Sequence, residues 1–284
     1  MINHSIKVNP IAGHIGAEIL GVDLSKSMSN SLAQTLKQSL FEHGVIFFRE
    51  QNLKPEDHIA MAESFGEIEI NRFFKPVEGY AKIAEVRKEP HQKRNIGAKW
   101  HTDHSYDTAP AMGSILYALE VPPVGGDTIF ASMYAAYDHL SDGLKETLHN
   151  LKAWHSSEET FGVPKDKDIG DRIGGQENVK PDVLHPVIIG HPSTGRSALY
   201  VNPQFTVRFD GWTEEESKPL LEYLYQFATQ PAFCCRFHWE KGTVAFWDNR
   251  ISQHLAVNDY HGHRRLMHRI TLKGVPIFGA TQAS

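Results

Sequence analysis

Hydrophobic residues follow two different rhythms along this chain. Near the N-terminus the period is helical. Leu32, Leu36 and Leu40 share one stripe, Ser29 or Ser31 is placed to cap it, and Gly44 to end it. The run Val45-Ile46-Phe47-Phe48 then reads as a buried strand, and Lys54-Pro55-Glu56 opens a second helix expected to reach Phe65 before Gly66. Further on the rhythm shortens. Residues 112–131 give strand-like segments around the turn at 122–126, and short strands are predicted at 183–189, 197–201, 233–239, 243–247 and 265–272. Helical patterns return at 132–151 and 213–229, the latter opening with a capping box from Thr213 to Glu216. Two stretches lack any period and read as loops beside a site. One is 84–100, basic through Arg87, Lys88, Lys93, Arg94 and Lys99; the other is 162–182, rich in charge and glycine.

Short strands that are not each followed by a crossover helix argue for an antiparallel core with helices outside it. The expected class is α+β and β-rich, a jelly roll rather than a parallel sheet. No linker interrupts the pattern, so residues 1–284 are expected to form one domain.

Composition narrows the function. A formal net charge of -5 speaks against a general nucleic-acid binder. No apolar run approaches the roughly 20 residues of a membrane helix. The opening MINHSIKVNP has no apolar segment of the kind that directs secretion, and the two cysteines, Cys234 and Cys235, are sequence neighbours unsuited to pairing with each other. A cytoplasmic protein with buried, unpaired thiols is the expectation. The 17 histidines change the picture most, because imidazole is the commonest metal ligand.

Two segments concentrate that chemistry. In Trp100-His101-Thr102-Asp103-His104, an extended backbone would point His101 and Asp103 to one face, toward a shared ion. One histidine and one carboxylate are two thirds of the facial triad that holds non-haem Fe(II) and leaves positions open for other ligands. A solvated loop pair has the same spacing. The second segment runs from Trp247 through His254 to Thr271. Read as a strand, 265–271 places Arg265, Met267 and Arg269 on one face, and Leu266, His268 and Ile270 on the other. Inward arginines need anionic partners and suit a site that clamps carboxylates; outward ones would make ordinary surface ion pairs.

His101-x-Asp103, His254 and Arg265 eleven positions later resemble the Fe(II)/2-oxoglutarate-dependent dioxygenases. Trp100–Asp103, Gly125-Gly126-Asp127-Thr128, Val201-Asn202 with Phe205, and the run from Trp247 to Arg269 are similar to the taurine dioxygenase and 2,4-dichlorophenoxyacetate dioxygenase group. The resemblance implies a double-stranded β-helix and an enzyme that uses Fe(II), 2-oxoglutarate and O2 to hydroxylate a small organic acid, releasing succinate and CO2. It implies His101, Asp103 and His254 as iron ligands, Arg265 and Thr128 on the distal carboxylate of 2-oxoglutarate, and Arg269 on the acidic group of the substrate. Asn71, Phe74, Phe161 and Phe205 fall at substrate-pocket positions. Where taurine-specific members use a histidine, a tyrosine and an asparagine, this chain has Asn71, Phe74 and Gly97, which points away from taurine. A sulfonate, sulfate ester or carboxylate with an apolar body is the expected substrate, and a homodimer or homotetramer the expected assembly. Two other readings stand beside this one. Halogenation or desaturation is the first, and Asp103 fills the position a halide would need. A non-catalytic jelly roll binding small organic acids is the second. His104 is left open as a group behind the ligands, His268 is assigned to packing, and His261 and His263 to solvent.

Overall fold

A computed structural model describes residues 6–163 and 167–280; the ends of the expected 1–284 domain, and residues 164–166 of the 162–182 loop, lie outside the described residues. The described chain is a β-rich mixture of strands and helices. Its largest element is a nine-stranded sheet in which Val45–Phe48, Val244–Asp248, Gly113–Glu120, Arg265–Leu272 and Tyr80–Lys88 lie side by side. These five strands pair antiparallel.

Period-two alternation sorts the two faces of this sheet. Ile46, Phe48, Ile115, Tyr117, Val244, Phe246 and Ile270 face one side, where Leu36 and Leu40 of helix Asn30–His43 and Met61 of helix Pro55–Glu63 cover them. Ser29 caps the first helix by accepting from the Leu32 N–H, and Gly44 ends it at φ +71°, a value only glycine adopts without strain. The opposite face carries Val45, Phe47, Leu116, Ala118, Ala245, Trp247 and Met267. It packs against a three-stranded sheet of Cys234–Phe237, Thr128–Ser132 and Ser252–Ala256 through Phe130, Cys235 and Phe237. The Phe47 and Phe237 rings stack at 3.6 Å between centroids. Arg265 and Arg269 share the face of Met267, so the strand alternation carries both guanidiniums into the space between the sheets, where they are 5% and 8% exposed.

Several expected elements divide or move. The 132–151 helix is two helices, Met133–Asp138 and Asp142–His149, because Ser141 accepts from the Leu144 N–H and starts a second cap. The 183–189 strand breaks into Val183–Pro186 and Ile188–Gly190, which join different sheets; between them the Val187 N–H bonds to Leu151 O. The expected 84–100 loop begins as strand, since Tyr80–Lys88 pairs with Arg265–Leu272. Lys88 is therefore part of the sheet and not of a basic loop. It is 2% exposed, its Nζ donates to Asn258 Oδ1 at 2.7 Å, and it lies over the Tyr260 ring. The 162–182 stretch contains the short helical turns Lys167–Gly170 and Gln176–Asn178. No helix among the described residues is long and apolar enough to cross a membrane.

Candidate active site

The site opens between the two sheets and is assembled by one backbone bridge. His101 pairs antiparallel with His254 of strand Ser252–Ala256, the N–H of each donating to the carbonyl of the other at 3.1 and 2.9 Å. This register sets the imidazoles side by side, 4.1 Å between centroids. Asp103, two residues on, brings its carboxylate to the same place, His101 Nε2 lying 3.7 Å from Asp103 Oδ1, and the chain turns just beyond, with His104 at φ +59°. One ligand atom from each of His101, Asp103 and His254 then lies within 4.8 Å of the others, and all three residues are buried.

Each ligand is held from behind. His101 Nδ1 lies 2.8 Å from Lys99 O, which assigns the proton to that nitrogen and leaves the Nε2 lone pair free. Ser114 Oγ donates to Asp103 Oδ2 at 2.8 Å; Asn249 Nδ2 donates to Ser114 Oγ, and Trp247 Nε1 to Asn249 Oδ1. His254 packs between Phe130 and Trp247. Burial, joined by the neighbouring His101, holds the His254 imidazole down to about 3, and burial likewise lowers His101, so both rings are neutral. Burial alone would raise the Asp103 carboxyl, but the Arg269 guanidinium beside it outweighs burial and keeps the group ionised. Two neutral imidazoles and one carboxylate, with no fourth protein ligand in the group among the described residues, fit the donor set of an Fe(II) site that keeps positions open.

A cavity of about 430 Å³ lies over the triad, and Arg265, Arg269, Thr128, Phe74, Phe161 and Phe205 line it. At one end Arg265 has buried Nε and Nη2 atoms without a hydrogen-bond partner among the described residues, and the Thr128 hydroxyl faces the same cavity. At the other, Arg269 reaches Asp103 Oδ1 with Nη1 at 3.3 Å, lies over the Phe74 ring, and leaves its buried Nε unpartnered. Four residues along a strand separate the two arginines by roughly 13 Å. Phe73, Phe74, Tyr106, Phe161, Ile169, Ile173 and Phe205 form one apolar cluster beside Arg269.

Of the substrate-pocket expectations, Phe74, Phe161 and Phe205 reach the cavity and Asn71 does not. The Asn71 Oδ1 accepts from the Phe73 and Phe74 N–H groups at 3.0 and 2.9 Å, so it shapes the backbone that presents Phe74. Gly97 does line the cavity, but against a histidine of the triad: at φ +80°, a Cβ there would stand 3.1 Å from His101 Cε1. His104 turns away from the triad to Asp107 and Asn71. His268 is half-buried on the helix-facing side of its strand, and His261 and His263 are exposed. Tyr106, three residues beyond Asp103, was not among the expected pocket residues; its place just after the motif was the available signal. Ser114 and Trp239 carried no such signal, because their contacts here are with residues far away in the chain, Asn249 and Thr128.

The chain belongs to the taurine catabolism dioxygenase TauD, TfdA family, whose model matches residues 7–271. Curated relatives include an alkylsulfatase of Acinetobacter baylyi, 35% identical over 97% of this chain and 87% of that protein. Another is an alpha-ketoglutarate-dependent sulfate ester dioxygenase of Pseudomonas putida, 34% identical over 96% of this chain and 91% of that protein. Among solved structures, a taurine dioxygenase from Burkholderia xenovorans superposes with a TM-score of 0.82 at 35% identity, covering 97% of this chain and 93% of that one. AAD-2 in complex with Mn(II) and N-oxalylglycine superposes at 0.80 with 26% identity, covering 98% and 100%. The protein is a dioxygenase dependent on alpha-ketoglutarate, that is 2-oxoglutarate, and its chemistry requires Fe(II), this cosubstrate and O2.

Proposed function

We propose that the enzyme hydroxylates a small organic anion with an apolar body, a sulfate ester, sulfonate or carboxylate. His101, Asp103 and His254 would hold the iron, Arg265 and Thr128 the distal carboxylate of 2-oxoglutarate, and Arg269 the substrate's acidic group. The observation that carries this reading is the pair of inward arginines. Arg265 and Arg269 both keep buried N–H groups without a protein partner in one cavity with the triad. An unpaired buried charge costs several kcal/mol, and two anions from outside the chain would complete the pair. The apolar cluster beside Arg269 supports an apolar body next to the acid. Relatives named for sulfate esters and for 2,4-dichlorophenoxyacetate support the same class. The two facing sheets read as a double-stranded β-helix, in one domain over residues 1–284, working as a homodimer or homotetramer.

When bound, the iron and 2-oxoglutarate supply oxidative decarboxylation coupled to hydroxylation of a C–H bond, with succinate and CO2 as products. The residues do the rest. Arg265 offers a bidentate fork to one carboxylate and fixes the cosubstrate's direction. Arg269, anchored on Asp103, holds the substrate's anion beside the triad while the aromatic wall excludes water. Where the hydroxylated carbon carries a sulfate-ester oxygen, the product breaks down and releases that anion. A closed, purely structural metal site would use four protein ligands, and this triad has three.

The test is oxygen-dependent succinate formation across a panel of alkyl and aryl sulfates, sulfonates and carboxylates, repeated with Arg269→Ala. Stimulation by anions, lost in the variant while 2-oxoglutarate binding persists, is expected. Stimulation only by neutral or cationic compounds overturns the reading.

A further inference from the structure

One polar contact behind the cavity is not explained by the roles above. Trp239 is 2% exposed, and its indole Nε1 donates to Thr128 Oγ1 at 2.9 Å. An indole N–H is only a donor, whereas a hydroxyl has one proton to give and two lone pairs. With the indole on one lone pair, the Thr128 proton has to point elsewhere. Thr128 Oγ1 has no other hydrogen-bond partner among the described residues, and its side chain lines the cavity. The same indole ring lies beneath Arg265, whose Cζ is 5.6 Å from the ring centroid. The ring is itself held edge-on against Phe237, 5.4 Å between centroids at 90°, and Phe237 is stacked on Phe47 of the large sheet.

We infer that Trp239 is a positioning residue for the cosubstrate, its N–H turning the Thr128 proton, and its ring steadying Arg265, toward one carboxylate. This rests on the reading that Thr128 and Arg265 bind 2-oxoglutarate. Without the indole N–H, the Thr128 hydroxyl is free to spend its proton in other orientations, and a rotor must be ordered each time the carboxylate binds. Trp239→Phe keeps an aromatic ring and deletes the donor. A partial loss of a charge-assisted hydrogen bond predicts a rise of about threefold to tenfold in the 2-oxoglutarate dissociation constant.

The experiment is anaerobic calorimetric titration of the Fe(II)-loaded enzyme with 2-oxoglutarate, using wild type, Trp239→Phe, Thr128→Ala and the double variant. Weakened binding from Trp239→Phe in the wild-type background, with no further change in the Thr128→Ala background, supports the inference. A purely structural role predicts the same loss in both backgrounds, and that result, or no loss in either, overturns it. Should Thr128→Ala and Arg265→Ala both bind 2-oxoglutarate as wild type does, the site reading fails and the inference goes with it. If Trp239→Phe does not fold, the indole N–H signals of the metal-free protein decide. Of the five tryptophans, one should shift its indole resonance in Thr128→Ala, and five unchanged signals overturn the contact.

Discussion

Replacing Ser114 with alanine deletes one fully buried hydroxyl that lies outside the triad and holds one of its members. In the structure that hydroxyl donates to Asp103 Oδ2 at 2.8 Å and accepts from Asn249 Nδ2, whose own partner is the Trp247 indole. Asp103 keeps Arg269 on Oδ1 at 3.3 Å, so the carboxylate would retain its charge but lose the bond that fixes its rotation. A hydrogen bond to a charged group contributes about 1.5–3 kcal/mol, and groups that orient metal ligands typically change metal affinity about 10–100-fold. Ser114→Ala should therefore raise the dissociation constant for a divalent ion at the triad by about one to two orders of magnitude. Mn(II) titration followed by the spin-resonance signal of the free ion measures this directly, with thermal unfolding of the metal-free variant as the control. A variant that unfolds earlier yet binds Mn(II) within twofold of wild type would assign Ser114 to folding alone and refute the reasoning.

Three other expectations follow from the same contacts. Gly97→Ala meets the left-handed backbone penalty of about 1–2 kcal/mol and presses a methyl against His101 Cε1, so Mn(II) affinity should fall; unchanged affinity contradicts the packing. His58 is buried with both ring nitrogens unpartnered, and burial, aided by His268, holds its pKa down to about 3. The unfolded chain binds that proton near pH 6.5 and the folded one does not, so stability is lost as pH falls from about 6.5 toward 3. In His58→Leu, denaturant unfolding should lose about 1.4 kcal/mol less per pH unit than wild type across that window, and parallel curves contradict it. Asp248 is fully buried, receives Arg250 Nε and Nη2 at 2.8 and 2.5 Å, and lies 3.1 Å from His191 Nε2. Asp248→Ala strands that arginine and should destabilise the fold by about 3–5 kcal/mol in urea unfolding; a loss under about 1 kcal/mol counts against a paired network.

The parts of the site legible from the chain are those whose geometry is local. A strand's alternation put Arg265 and Arg269 on one face before any partner was known, and the His101–Asp103 motif and His254 stood out by residue type. His101 and Asp103 do converge, as their spacing suggests, while the turn that follows at His104 left no mark in the pattern. Strand Tyr80–Lys88 was missed because its charges mask the pattern, Lys88 being buried against Asn258 and Tyr260 rather than solvated. Asn71 came as a pocket residue from the family resemblance alone, and the bonds its amide makes to the Phe73 and Phe74 N–H groups depend on a local turn that the resemblance does not describe. Ser114 and Trp239 act across contacts between distant parts of the chain, such as Trp239 with Thr128 and Ser114 with Asn249, so no window of sequence holds both halves of those contacts.

The central claim is that His101, Asp103 and His254 bind iron while Arg265 anchors the cosubstrate beside it. The most direct measurement is the visible absorption of the anaerobic protein with Fe(II) and 2-oxoglutarate added singly and together. A weak charge-transfer band that needs both components, and that Arg265→Ala shifts to much higher 2-oxoglutarate concentration, is predicted. A wild-type protein that gives no band, or a band with the same 2-oxoglutarate dependence in Arg265→Ala, would contradict the account.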